Sequence, residues 1–113
     1  MERPKEKLVV VRSGPGGAAV GLRTAAELAR QGDRVTLCLI QDGVLCALKG
    51  NQSPSGDLLA QALGAGAQLR CLEEDLAARG FSGDDLLPGA RPLGYGELAE
   101  LMLGDGQHVL GAF

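Results

Sequence analysis

Three features of this chain have residue types and spacings that could support chemistry: its cysteines, a glycine-rich loop and an Asp-Gly turn. The cysteines are Cys38, Cys46 and Cys71. An odd number with no C-x-x-C pair is not a disulfide framework. One histidine, His108, and no ligand pair at a helical or knuckle spacing leave no zinc site, so no metal is expected. Free thiols in a reducing compartment fit best. A thiolate is a strong nucleophile, and its surroundings set how much of it is present. Cys71, in QLRCLEEDLAARG, falls where a strand gives way to a helix. The positive end of the helix dipole there favours the thiolate, and Arg70 and Arg79 add to it. Glu73, Glu74 and Asp75 oppose ionisation. On position alone, a nucleophile and a half-buried structural thiol are equally good readings. Cys38 lies between Leu37 and Leu39 and reads as core. Cys46 follows the Asp42-Gly43 turn, where an edge role and a packing role both stand.

The glycine-rich stretch SGPGGAAVG, Ser13 to Gly21, follows the apolar run LVVV and precedes a helical pattern. Gly14, Gly16 and Ala19 give G-x-G-x-x-A, with Asp42 after the next apolar run, close to a dinucleotide fingerprint. Three points count against that use. The chain has room for little more than one mononucleotide-binding half. Pro15 removes a backbone N–H from the loop that should donate to phosphate. No segment is left over for a substrate. The loop therefore reads as a tight strand-to-helix turn, and no cofactor is expected.

The elements that must position these groups follow from hydrophobic periodicity. Residues 7–12 read as a buried strand and 18–31 as a helix, with Ala18, Leu22, Ala25 and Ala29 on its inner face and Gly32 as its terminal glycine. RVTLCLI, 34–40, is apolar on both faces, as in a parallel sheet covered by helices. Asn51 to Gly56 reads as a mobile polar loop, 57–63 as a short helix and 67–70 as a third strand. A helix over 72–79 places Leu72 and Leu76 inward. A strand at 90–93, a helix at 95–103 with Leu98, Leu101 and Met102 buried, a Gly104–Gly106 turn and a strand over 108–112 complete the pattern. His108 reads as structural. Alternating strands and helices imply an α/β three-layer sandwich with a mostly parallel sheet of about five strands. In such folds reactive groups gather beyond the carboxyl ends of the strands. The loop at 14–17, the turn at 41–43 and Cys71 all emerge there.

Bulk properties narrow the function further. A chain of 113 residues is a single domain, 1–113. Its net charge of −3, with no basic patch, disfavours a direct grip on nucleic acid. No apolar run is long enough to span a membrane, and MERPKEK lacks the apolar core of a leader, so a cytoplasmic location is expected.

Taken in order, LVVVRSGPGG, RVTLCLIQDGVLCALKG, LRCLEEDLAARG and GELAELMLGDGQHVLGAF resemble the DsrE/TusD (DsrE/F-like) sulfur-relay family over nearly the whole chain. Cys71 matches that family's active cysteine, and Arg79-Gly80 its following Arg-Gly. Glu73-Glu74-Asp75 departs from the smaller, uncharged residues more usual after the cysteine. The resemblance implies a sulfurtransferase-like carrier that holds sulfane sulfur as a persulfide on Cys71. Sulfur donor and acceptor proteins would be its partners, in tRNA thiolation or sulfur oxidation. It also implies trimers or hexamers of one or several kinds of chain. The supporting candidates read from position are Cys46, Arg70, Asp42, Gly43 and Arg79. Asp42 and Gly43 are turn formers first and rim residues second. Arg79 is too far along the helix to touch the sulfur unless a neighbouring subunit folds it back. Two readings compete with the carrier: an oligomeric binding or regulatory subunit of the same fold without thiol chemistry, and a nucleotide-binding domain using the SGPGG loop.

Overall fold

The computed structural model describes residues 5–104 and 106–113. Met1 to Pro4, read above as the start of a charged N-terminus, and Asp105 of the glycine turn lie outside the described residues. Five strands form one sheet in the order β4-β3-β2-β1-β5: β1 Glu6–Val11, β2 Arg34–Leu39, β3 Gln68–Leu72, β4 Ala90–Leu93 and β5 Gln107–Leu110. Every neighbouring pair is parallel. Four helices connect them: α1 Ala19–Arg30, α2 Pro54–Gly64, α3 Glu73–Ala78 and α4 Tyr95–Leu103. A 3-10 turn, Gln41–Ala47, leaves β2.

The layering follows from topology and the two-residue period of a strand. From β1 to β4 the chain steps across the sheet in one direction, so right-handed crossovers put α1, α2 and α3 on one face. It then returns past β1 to lay down β5, and α4 falls on the other face. Val9, Val11, Leu37, Leu39, Leu69 and Cys71 point to the first face and form the main core with Leu22 and Ala25 of α1, Leu59 and Ala62 of α2 and Leu76 of α3. Leu8, Val10 and Cys38 point to the second face, where Leu98 and Leu101 of α4 pack partly buried. With so few aromatic residues, the main core is close-packed chiefly by Leu, Val and Ala. The small residues Gly21, Ala25, Ala26 and Ala29 form much of the buried side of α1.

Most expected elements stand within a residue or two of their places, and Gly32 closes α1 with a left-handed φ of +94°. Four differences have physical causes. First, α2 begins at Pro54 rather than Asp57, because proline at the first helical position is pre-set for the turn. Second, β3 runs through Cys71 to Leu72, since its ladder to β2 and β4 continues that far. Third, Met102 is exposed, because the short α4 turns only Leu98 and Leu101 toward the sheet. Fourth, β5 ends at Leu110, where its pairing with β1 stops.

Leu22 is fully buried where α1 meets the sheet. Leu22→Ala is expected to lower unfolding stability by about 2–5 kcal/mol in a urea titration, with the far-UV spectrum of the folded state unchanged.

Candidate functional site

The candidate site lies at the carboxyl edge of β1, β2 and β3. As β2 ends, the Ile40 N–H donates to the Val11 carbonyl at 2.9 Å and the Gly43 N–H to the Ile40 carbonyl at 2.8 Å. Gly43 packs so closely on the Val11 carbonyl that a Cβ would collide with it. Its role is steric: it lets the turn fold back over the end of β1. Val44, Cys46 and Ala47 are thereby buried in the main core. The exposed Gln41 preceding them has a φ of +50°.

Cys71 is inside β3, in register with Leu39 on one side and Pro92 on the other. This corrects the expected position at a helix start. Leu72 is the N-terminal cap of α3, and that six-residue helix begins at Glu73. The thiol is fully buried in the same cluster as Cys46, Val44 and Leu76. Burial pushes it up to about 12, the neighbouring thiols Cys38 and Cys46 raise it further, and Arg70 lowers it by less. Desolvation outweighs any dipole effect because the sulfur reaches no water. Cys38 lies on the opposite face and is pushed up to about 11 by burial, with Arg70 opposing. Burial also raises Cys46, against the Ser55 hydroxyl, and its Sγ lies 3.9 Å from the Ser13 carbonyl oxygen.

The remaining candidates divide into two groups. Arg70 sits apart from the Cys71 cluster: its Nη2 donates to Glu97 of α4 at 3.0 Å and to the Pro92 carbonyl at 3.2 Å. Arg79 and Asp42 come together across the edge. Arg79 Nε and Nη2 both reach Asp42 Oδ1 at 3.0 Å, and Nη1 donates to the Asp75 carbonyl at 3.0 Å. Asp75 Oδ2 accepts the Gln41 N–H at 2.6 Å.

Two contributors, Asn51 and Ser55, were not singled out in the sequence, and Asp75 was read there only as an acid opposing ionisation. Asp75 stands four residues before Arg79, a spacing that was legible as a helical ion pair. Asn51 and Ser55 gave no such signal. Asn51 Nδ2 donates to the Cys46 carbonyl and to Ser55 Oγ, both at 2.9 Å, which ties the start of α2 to the turn.

The glycine-rich loop is folded on itself. The Gly17 N–H donates to the Gly14 carbonyl at 2.9 Å, and just before the loop the Arg12 and Ser13 N–H groups donate to the Phe113 carbonyl. Among the described residues, no group of three His, Cys, Asp or Glu side chains is placed to hold a metal ion. No helix among them is long and apolar enough to cross a membrane.

An all-parallel five-stranded sheet with helices on both faces defines a three-layer α/β sandwich, here with a buried thiol near its carboxyl edge. The model of the family described as DsrH-like protein matches residues 18–107, and the chain belongs to that family. Among solved structures it is similar to the YchN protein from E. coli, with a TM-score of 0.84 and 23% identity over 96% of this chain and 99% of that one. It is also similar to MTH1491 from Methanobacterium thermoautotrophicum, a protein of unknown function, with a TM-score of 0.73 and 17% identity over 95% of this chain and 99% of that one. No curated protein matches the sequence. Both the family resemblance and the expected fold class are borne out.

Two outcomes follow from the site's geometry. A thiol raised above its unfolded value stabilises the fold below about pH 9, and that contribution is lost as pH rises through the folded value. Unfolding free energy should therefore fall by up to about 1.4 kcal/mol per pH unit for each buried thiol, from pH 9 to about 11 for Cys38 and to about 12 for Cys71. Cys71→Ala should make that decline shallower in denaturant titrations across the range. Gly43→Ala should destabilise by about 1–3 kcal/mol or more, because its Cβ meets backbone that cannot move aside, and thermal melting would register the loss.

Proposed function

We propose that this chain is a sulfur-relay protein that carries sulfane sulfur as a persulfide on Cys71, after the segment covering the thiol has opened. One observation carries the reading: Cys71 lies one residue before the helix cap at the carboxyl edge of a fully parallel sheet, where such folds gather their reactive groups. Membership of the DsrH-like family supports the sulfur-relay setting. In the closed form burial keeps the thiol protonated at pH 7, which leaves too little thiolate for rapid attack. Exposure to water would return the thiol toward its ordinary value and raise the ionised fraction by orders of magnitude.

The chemistry then needs only the sulfur atoms and their protons. The Cys71 thiolate attacks the outer sulfur of a donor persulfide, giving Cys71–S–SH and the donor thiolate. An acceptor thiolate attacks that outer sulfur in turn and restores Cys71. The partners are sulfur donor and acceptor proteins in the cytoplasm, and the working form is a trimer or hexamer of one or several related chains. The pathway is tRNA thiolation or sulfur oxidation. A net charge of −3 supports leaving any RNA to another protein.

A second reading has its own support: a non-carrying subunit of the same assembly, favoured by the complete burial of the Cys71 sulfur. Intact mass after incubation with a low-molecular-weight polysulfide separates the two. Slow gain of about 32 Da in the wild type, faster at higher pH and absent in Cys71→Ser, supports the carrier. No gain under conditions that load an ordinary exposed thiol supports the non-carrying subunit. A gain on Cys46 would move the site within the same edge.

A further inference from the structure

The closed thiol raises the question of what holds the cover down. Helix α3 is six residues long and buries one side chain, Leu76, so apolar packing alone holds it weakly. Its polar attachments are concentrated in one place. The Arg79 guanidinium, at the end of α3, takes Asp42 Oδ1 with two nitrogens at 3.0 Å. Its third nitrogen holds the Asp75 carbonyl at 3.0 Å and lies 3.8 Å from Asp75 Oδ1. Asp75, whose side chain is only 17% exposed, spends its other oxygen on the Gln41 N–H at 2.6 Å. That residue, with φ +50°, is the one non-glycine among the described residues in the left-handed region, a conformation that needs an external hold. Thus two side chains of the α3 segment grip two consecutive residues of the 41–47 turn. Cys71 is buried in the same cluster as Leu76 of α3 and Val44, Cys46 and Ala47 of the turn.

We propose that Arg79, Asp75 and Asp42 form a latch that fastens α3 to the 41–47 turn and keeps Cys71 closed, so that breaking it opens this edge alone. The inference rests on Cys71 being the thiol that must be reached, and it adds the control of its access. Local opening of this kind needs far less than global unfolding, because it disengages one short helix and leaves the sheet intact. The latch members are not equivalent. Asp42 is exposed, so its pair is screened by solvent and holds weakly. Arg79 and Asp75 are mostly covered and carry the charge-assisted hydrogen bonds, so they hold more strongly.

The fold supplies its own control. Cys38 is equally buried but lies on the opposite face, under α4. The test is N-ethylmaleimide labelling of the native protein, followed by peptide mapping so that each cysteine has its own rate. Arg79→Ala and Asp75→Asn are expected to speed Cys71 labelling by about tenfold or more, Asp42→Asn by about two- to threefold, and Arg79→Lys by less than Arg79→Ala. Cys38 should keep its wild-type rate in all four. An unchanged Cys71 rate overturns the latch. So does a parallel rise at Cys38, which would mean that the variants merely unfold more often. If Arg79→Ala does not fold, the exposed Asp42→Asn and the conservative Arg79→Lys still decide the matter. Maleimide involves no sulfur transfer: faster labelling without polysulfide uptake would overturn the carrier alone, and uptake without faster labelling the latch alone.

Discussion

The carboxyl edge of this protein is organised around the carbonyl of Val11. It accepts the Ile40 N–H, which aligns the exit of β2 with the end of β1, and Gly43 then lies directly on it. No larger residue fits at that approach. Because the turn is forced back over the sheet, Val44 and Cys46 fall into the core and Asp42 is left outside, facing α3. The ionic contacts between turn and helix depend on this close approach, and the side chains it turns inward join the cluster in which Cys71 is buried. A backbone-to-backbone constraint thus decides what the side chains of the edge can do.

Much of this was legible in the sequence because it depends on period. The apolar runs of β1 and β2, the inner face of α1 and the terminal Gly32 are local signals, and local physics sets them. The position of Cys71 was not legible to the needed accuracy. Whether a strand stops at residue 70 or 72 depends on how far its neighbours extend, and Leu39 and Pro92 supply that information from 32 residues before and 21 residues after it. A shift of two residues takes the sulfur from a helix start to the inside of a sheet. Arg79 was picked out by position, yet its partner Asp42 lies 37 residues away and only the fold brings them together. Asn51 and Ser55 carried no pattern that distinguishes a pinned turn from a free polar loop.

The two competing influences on Cys71 also show why magnitude has to be weighed with position. A helix dipole acts over the first turn and weakens quickly with distance, and here the first turn carries three acidic residues of its own. Removal of water acts on the sulfur directly and without screening. The latter wins, so the thiol is held in its protonated form by its place in the core. Any reaction at this sulfur would first have to bring it to water.

The pairing of β5 with β1 has a consequence for how the chain reaches this fold. Glu6 lies in register with Gln107, and the Arg12 N–H is satisfied by the carbonyl of Phe113. Thus β1 is flanked on one side by β5, about 100 residues later in the chain, and its hydrogen bonds on that side stay open to water until β5 has emerged. Loop closure on that scale makes the last pairing a slow step. During translation, β1 through β4 would form an open sheet with the apolar β1 as one of its two edges, an invitation to strand addition from another nascent chain. Adding β5 covers the apolar β1 and leaves in its place a four-residue edge strand, Gln107–Leu110.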